Sequence, residues 1–198
     1  MNTEEQQLLD KLKLAVTERS ADKNFVHHKW FIKYHLEIVE DISAELCEKY
    51  SHANIFKVLV LAWLHDYEKI MDFDNQYNTE LEATKVLMRQ IGFEPYFIEE
   101  IATDLNVYNA KNNLEAASLE IQIVSSSDAA SHSVGPFTCL YWYENPALSI
   151  DELMAANIRK ISIDWEKKIT LPEVKEAFAK YRAFNLQVAG QLPQKYLI

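Results

Sequence analysis

The sequence predicts an all-α protein folded as one domain, and three observations carry that expectation. Only three glycines and five prolines punctuate 198 residues, too little turn chemistry for a many-stranded sheet. Leu, Ala, Glu, Lys and Ile are abundant, a composition that favours long helices. Apolar residues also recur at helical spacing along most of the chain. With 48% hydrophobic residues, the chain can bury a sizeable core without further support.

The elements follow in order. Phe31, Ile38, Val39, Ile42 and Leu46 share one stripe and predict a helix over about 26–49, with His35 on the same stripe. A helix over about 53–66 is apolar on most sides, as expected of an element packed all round, and His65 and Asp66 fall at its C-terminal end. Thr79 with Glu82 reads as a capping box for a helix that carries Leu81, Val86, Leu87 and Ile91 and stops at Gly92. Pro95 suits the first turn of the next helix, which runs through Ile98, Ile101, Ala102 and Leu105. Leu114, Ala117, Ile121 and Val124 form a further stripe whose next member is Asp128, so that carboxylate is aimed inward. Residues 131–137 read as a break, and the aromatic stretch 139–146 suits either helix or loop. Ser149 with Glu152 and Thr170 with Glu173 predict capping boxes for closing helices at about 150–167 and 171–189, and Gly190 and Pro193 end the regular structure.

Twenty basic against thirty acidic residues give a formal charge of −10. No basic stripe stands out, which argues against duplex nucleic acid as a partner. The start, MNTEEQQLLDKL, is polar and acidic, unlike a secretory signal. The longest apolar run, Val58 to Leu64, is far shorter than the about 20 residues a membrane span needs. A cytoplasmic location away from membranes is expected. Cys47 and Cys139 stand alone, without CxxC spacing, and are expected to be reduced core residues. The acidic run at 99–104 and the EEQQ start are expected to be solvated faces.

Burying His65 or Asp66 without a partner would cost several kcal/mol. Together with His35 and Asp128 they make an inward-facing set of two imidazoles and two carboxylates. Such a nitrogen and oxygen set suits one divalent ion, Mn, Fe, Co, Zn or Mg, and the lack of thiolates disfavours softer metals. Two competing readings involve neighbouring residues. His27 and His28 could offer a rival metal site, since His28 lies seven residues before His35 on one helix face, and Trp30, Tyr34, Trp63, Tyr67 and Phe73 could stack a nucleobase, although core filling is the commoner use.

The ordered set resembles the HD superfamily of metal-dependent phosphohydrolases, which carries a histidine, an adjacent His-Asp pair and a distant aspartate on separate helices. The matching stretches are HLEIV at 35–39, LAWLHDYEK at 61–69 and NLEAASLEIQIVSSSDAAS at 113–131. NIRKI at 157–161 and KEAFAKYRAF at 175–184 are similar to the closing helices of single-domain bacterial members. The resemblance implies one helical domain over 1–198, with a metal-binding core at about 25–130 and C-terminal helices at about 149–190. It implies one ion held by His35, His65, Asp66 and Asp128, and hydrolysis of a phosphate ester or anhydride in a small phosphorylated metabolite, nucleotides included. Asp66 or Asp128 would accept a proton while holding the ion. Lys69, one helical turn beyond the pair, would hold substrate phosphate or neutralise the leaving group.

Two departures narrow the branch. Nucleotidase and alarmone-hydrolase members often carry a catalytic glutamate three residues after the HD aspartate, where this chain has Lys69. Two-metal members add histidines from intervening helices, and this chain has none between His65 and His132. Asn78, Glu80, Asp104 and Asn106 would be the nearest substitutes, so a single ion is expected. A non-catalytic module that binds metal or nucleotide is the alternative from a different class.

Overall fold

In the computed structural model, which describes residues 1–190 and 194–195, the helices pack around one of their own number. In chain order they are α1 (Thr3–Ser20), α2 (Glu37–Lys49), α3 (Ile55–Leu64), α4 (Tyr67–Met71), α5 (Glu82–Ile91) and α6 (Pro95–Ala110). α7 (Leu119–Ser131), α8 (Phe137–Glu144), α9 (Ile150–Ile163) and α10 (Pro172–Val188) follow. Among the described residues no strand occurs, and no helix is long and apolar enough to cross a membrane.

α3 is the central element because its sequence leaves it no polar face. Phe56 and every residue from Val58 to Leu64 are buried, and α1, α2, α6 and α7 pack around it. α1 is opened by an Asn2–Glu5 capping box. Its EEQQ face is exposed as expected, while Leu9, Leu12 and Val16, at i, i+3 and i+7, turn inward. One core extends from Leu9 to Val174, with a small satellite of Ile161, Leu186 and Ala189 under the last helices.

Several local expectations are corrected. Residues 26–30 form turns, so the expected helix over 26–49 begins only at Phe31, and its opening turn, Ile32–Leu36, which carries His35, is π-helical and runs on into α2. Thr79 does not cap α5. Leu81, at φ 52°, precedes the helix, and the Glu68 carboxylate accepts the Thr84 N–H at 2.9 Å, so a side chain from α4 does the capping. Thr170 likewise does not cap α10. Its N–H and that of Leu171 donate to Ser126 Oγ on α7, and Glu173 accepts from the Tyr50 hydroxyl. The stripe from Leu114 is broken by a 3₁₀ turn, and α7 restarts at the Ser118 cap, yet Ile121, Val124 and Asp128 keep their common buried face.

The stretch 139–146 resolves mostly as helix, within α8. α9 carries the expected Ser149–Glu152 capping box and continues into a second π-helical turn, Asp164–Lys168. Gly92 ends α5 at φ 104°, a conformation that glycine reaches without strain. Pro193 lies outside the described residues. In the acidic run 99–104, Glu100 and Asp104 both pair with Lys57, so that face is not purely solvated.

Cys47 is buried as expected, but Cys139 is exposed, because α8 buries only Thr138. Burial pushes the Cys47 thiol up to about 11, with Glu120 adding to the shift. One thiol should therefore react rapidly with a disulfide reagent in the native protein at neutral pH, and two after denaturation. Two rapidly reacting native thiols would contradict this placement.

Candidate metal centre

Four elements bring the polar residues to one point under α3. His35 comes from the π-helical turn before α2, His65 caps the C-terminus of α3, Asp66 begins α4, and Asp128 lies on the inner face of α7. His35 Nε2 and His65 Nε2 stand 3.2 Å apart. Asp128 Oδ1 is 3.6 Å from each of these nitrogens, and Asp66 Oδ2 is 3.8 Å from each. All four residues singled out from the sequence thus converge.

The hydrogen bonds behind the rings fix what faces the centre. His65 Nδ1 donates to the Ala62 carbonyl at 2.7 Å. The Ser131 hydroxyl spends its only proton on the Asp128 carbonyl at 2.7 Å, so it accepts from His35 Nδ1 at 3.0 Å. Both neutral rings therefore turn an Nε2 lone pair inward. Two lone pairs flanked by two carboxylates repel one another unless a cation, either a proton or a metal ion, comes between them. The ligand atoms of His35, His65 and Asp66 lie within 4.8 Å of one another, as do those of His35, Asp128 and His132, so each trio could hold an ion. The donor set fits a hard or borderline divalent ion.

Titration follows from this geometry. Burial drives the His35 pKa well below its ordinary value, against the pull of Asp128. Burial acts the same way on His65, but Asp66 and Asp128 outweigh it and raise that pKa. Burial alone would raise the Asp66 carboxyl, yet Lys69, then His65 and His35, hold it far below the usual carboxylate range. For Asp128 the same opposition is won by Lys168, with His132 next.

A second layer surrounds Asp128. Its Oδ2 accepts from the Tyr108 hydroxyl at 2.5 Å and pairs with the buried Lys168 ammonium. Burial would lower the Lys168 pKa, but Asp128 and Asp164 raise it instead. His132 Nε2 lies 3.3 Å from Asp128 Oδ1, and its Nδ1 lies 2.8 Å from Asp164 Oδ2. Lys160 completes the layer, 2.8 Å from Asp164 Oδ1. Lys69 Nζ is 3.2 Å from Asp66 Oδ2, at the mouth of the centre.

The mouth opens into a cavity of about 630 Å³ walled by Trp30, Phe73, Phe137 and Tyr141 among others. Trp30 and Phe73, of the five aromatics weighed from the sequence, face this cavity, while Trp63 and Tyr67 are core. His28 does not pair with His35. Its Nδ1 bonds the Phe25 carbonyl, because the chain is not helical there. Asn78, Glu80, Asp104 and Asn106 are also absent from the centre. The Asn78 side chain accepts the Glu80 N–H, Asp104 pairs with Lys57, and Asn106 donates to the Thr79 carbonyl.

Sequence reasoning missed Tyr108, Ser131, His132, Asp164, Lys160 and Lys168. His132 was within reach, since it follows Asp128 by four positions on one helix face. No local spacing links Lys168 to a carboxylate 40 residues away. No protein-family model, curated protein or solved structure matches this chain.

A proton and a metal ion compete for the same lone pairs, so ion binding should release protons and weaken on acidification. Because the His65 pKa is raised, its protonated form persists to higher pH than in a free imidazole, ordinarily about 6.5. Manganese affinity should therefore fall on acidification, beginning at a higher pH than for a site built on a free imidazole. Calorimetric titration in buffers of different ionisation enthalpy measures both effects; a pH-independent affinity without proton release would contradict a proton held on His65 between the two carboxylates.

Proposed function

We propose that this chain is a metal-dependent phosphohydrolase of the HD type, acting on a phosphate ester or anhydride of a small metabolite. The observation that carries this reading is the pair of opposed imidazole lone pairs set between two carboxylates. His35, His65, Asp66 and Asp128 would hold a divalent ion, which when bound supplies Lewis acidity and a lowered pKa for water.

The surrounding charges favour an anionic substrate. Asp66 pairs with Lys69, Asp128 with Lys168 and Asp164 with Lys160, which leaves the floor of the cavity close to neutral. A divalent ion would then give it the net positive charge that a phosphate dianion requires. Lys69 stands where it can take a phosphate oxygen as the substrate enters, exchanging its bond to Asp66 for one to the substrate. Asp66 is the more exposed of the two carboxylates, its side chain 25% accessible against 3% for Asp128, so of the two it would be the one to meet water in the cavity.

The aromatic walls leave room for more than a phosphate group, and a nucleotide is among the substrates that fit. Two free cysteines, one of them exposed, suit a reducing, cytoplasmic compartment.

A manganese-supplemented hydrolysis screen over nucleotides, sugar phosphates and aryl phosphates tests the proposal. Turnover abolished by chelator is expected. Asp66→Ala should lose both ion and activity, the latter by about 100-fold or more, while remaining helical. Lys69→Ala should lower turnover on the order of 100-fold with little change in ion affinity. Turnover indifferent to chelator would refute the reading, and tight ligand binding with no turnover would favour a non-catalytic binding module.

A further inference from the structure

We infer that Lys168 is the built-in second cation of this centre, its ammonium standing where a second metal ion would otherwise bind and limiting the site to one. The inference rests on the metal-centre reading above. Two-metal hydrolytic sites set their ions about 3.5–4 Å apart. Asp128 is placed to bridge such a pair. Its Oδ1 faces His35 and His65, and its Oδ2 meets Tyr108 and Lys168. The trio His35, Asp128 and His132 presents ligand atoms within 4.8 Å of one another, but the lone pair of His35 belongs to the inner ion, so an outer ion would rely on Asp128 Oδ2, on Asp164, and on His132, whose Nε2 lies 3.3 Å from Asp128 Oδ1. Asp164 stands behind His132.

The outer oxygen is taken by an amine. The Lys168 ammonium pairs with Asp128 Oδ2, lies 4.0 Å from Asp164 Oδ1, and sits 5.5 Å from the Tyr108 ring centre. Its side chain is only 6% exposed, and a buried ammonium persists only where buried anions match it. The backbone is built to deliver it. The π-helical turn Asp164–Lys168 ends at this residue, and the Lys168 carbonyl accepts from Ser125 Oγ on α7 at 2.9 Å, beside the Ser126 bonds to Thr170 and Leu171. The chain is thus pinned to the helix that carries Asp128. Lys168 acts through Asp128 and is a positioning residue, while the lysine left to meet substrate at the mouth is Lys69.

The test is the number of manganese ions retained per chain after equilibration and removal of free ion, measured by mass spectrometry of the metal. Wild type should hold one, Lys168→Arg one, Lys168→Gln two, and Lys168→Gln combined with His132→Ala one again. Without metal, Lys168→Gln should melt below wild type, and manganese should raise its melting temperature more than it raises that of wild type. Two ions in wild type, or one in a folded Lys168→Gln, would overturn the inference while leaving the metal centre standing. No ion in wild type would instead remove the metal-centre reading itself, and the inference with it. A Lys168→Gln protein that stays unfolded in excess manganese would also overturn it, because a divalent ion could not then replace the ammonium.

Discussion

The opposition of two imidazole lone pairs, 3.2 Å apart beneath the central helix, is the constraint on which the rest of the centre depends. Neither ring is free to turn away. The Ala62 carbonyl holds the far side of His65, and a relay from His35 through Ser131 to the Asp128 carbonyl holds the far side of His35. The Ser131 hydroxyl lies on the same helix as Asp128, so one segment of α7 supplies a carboxylate to the centre and orients an imidazole from another element. Such outer bonds determine which nitrogen is presented to an ion and how basic it is.

The fold meets this constraint with a helix that has no exposed face. α3 is enclosed by α1, α2, α6 and α7, and the residues at its C-terminal end are carried into the interior as a consequence. A carboxylate near a helix C-terminus is disfavoured by the dipole unless a cation is near. Lys69 meets part of that need for Asp66. Each of the three aspartates Asp66, Asp128 and Asp164 has its own lysine, and these pairs make a polar cluster that can exist inside a protein with or without a bound ion. The cost of burying so many charges is acceptable only where each is matched, and the matching is local for Asp66 and Asp164 but long-range for Asp128.

The sequence made the inner ring legible and left the outer one hidden. His35, Asp66 and Asp128 were readable because each sits on or beside an apolar stripe whose period assigns it to the interior. That reading survived even where the predicted helix was wrong in detail, as at the π-helical turn that carries His35 and the 3₁₀ turn before α7. The outer ring was hidden for a physical reason: Lys168 and Asp164 belong to a charged DWEKK stretch that looks solvated, and only tertiary packing against α7 buries it. The caps failed in the same way. Glu68 and Ser126 satisfy helix termini far from them in sequence, which no local capping pattern can reveal.

Anomalous diffraction at the manganese edge, from crystals grown with that ion, would test the central claim most directly. The account predicts one peak per chain, within about 2.0–2.6 Å of His35 Nε2, His65 Nε2 and a carboxylate oxygen of both Asp66 and Asp128. A fully occupied peak elsewhere, or none between the two imidazoles in protein saturated with manganese, would contradict it.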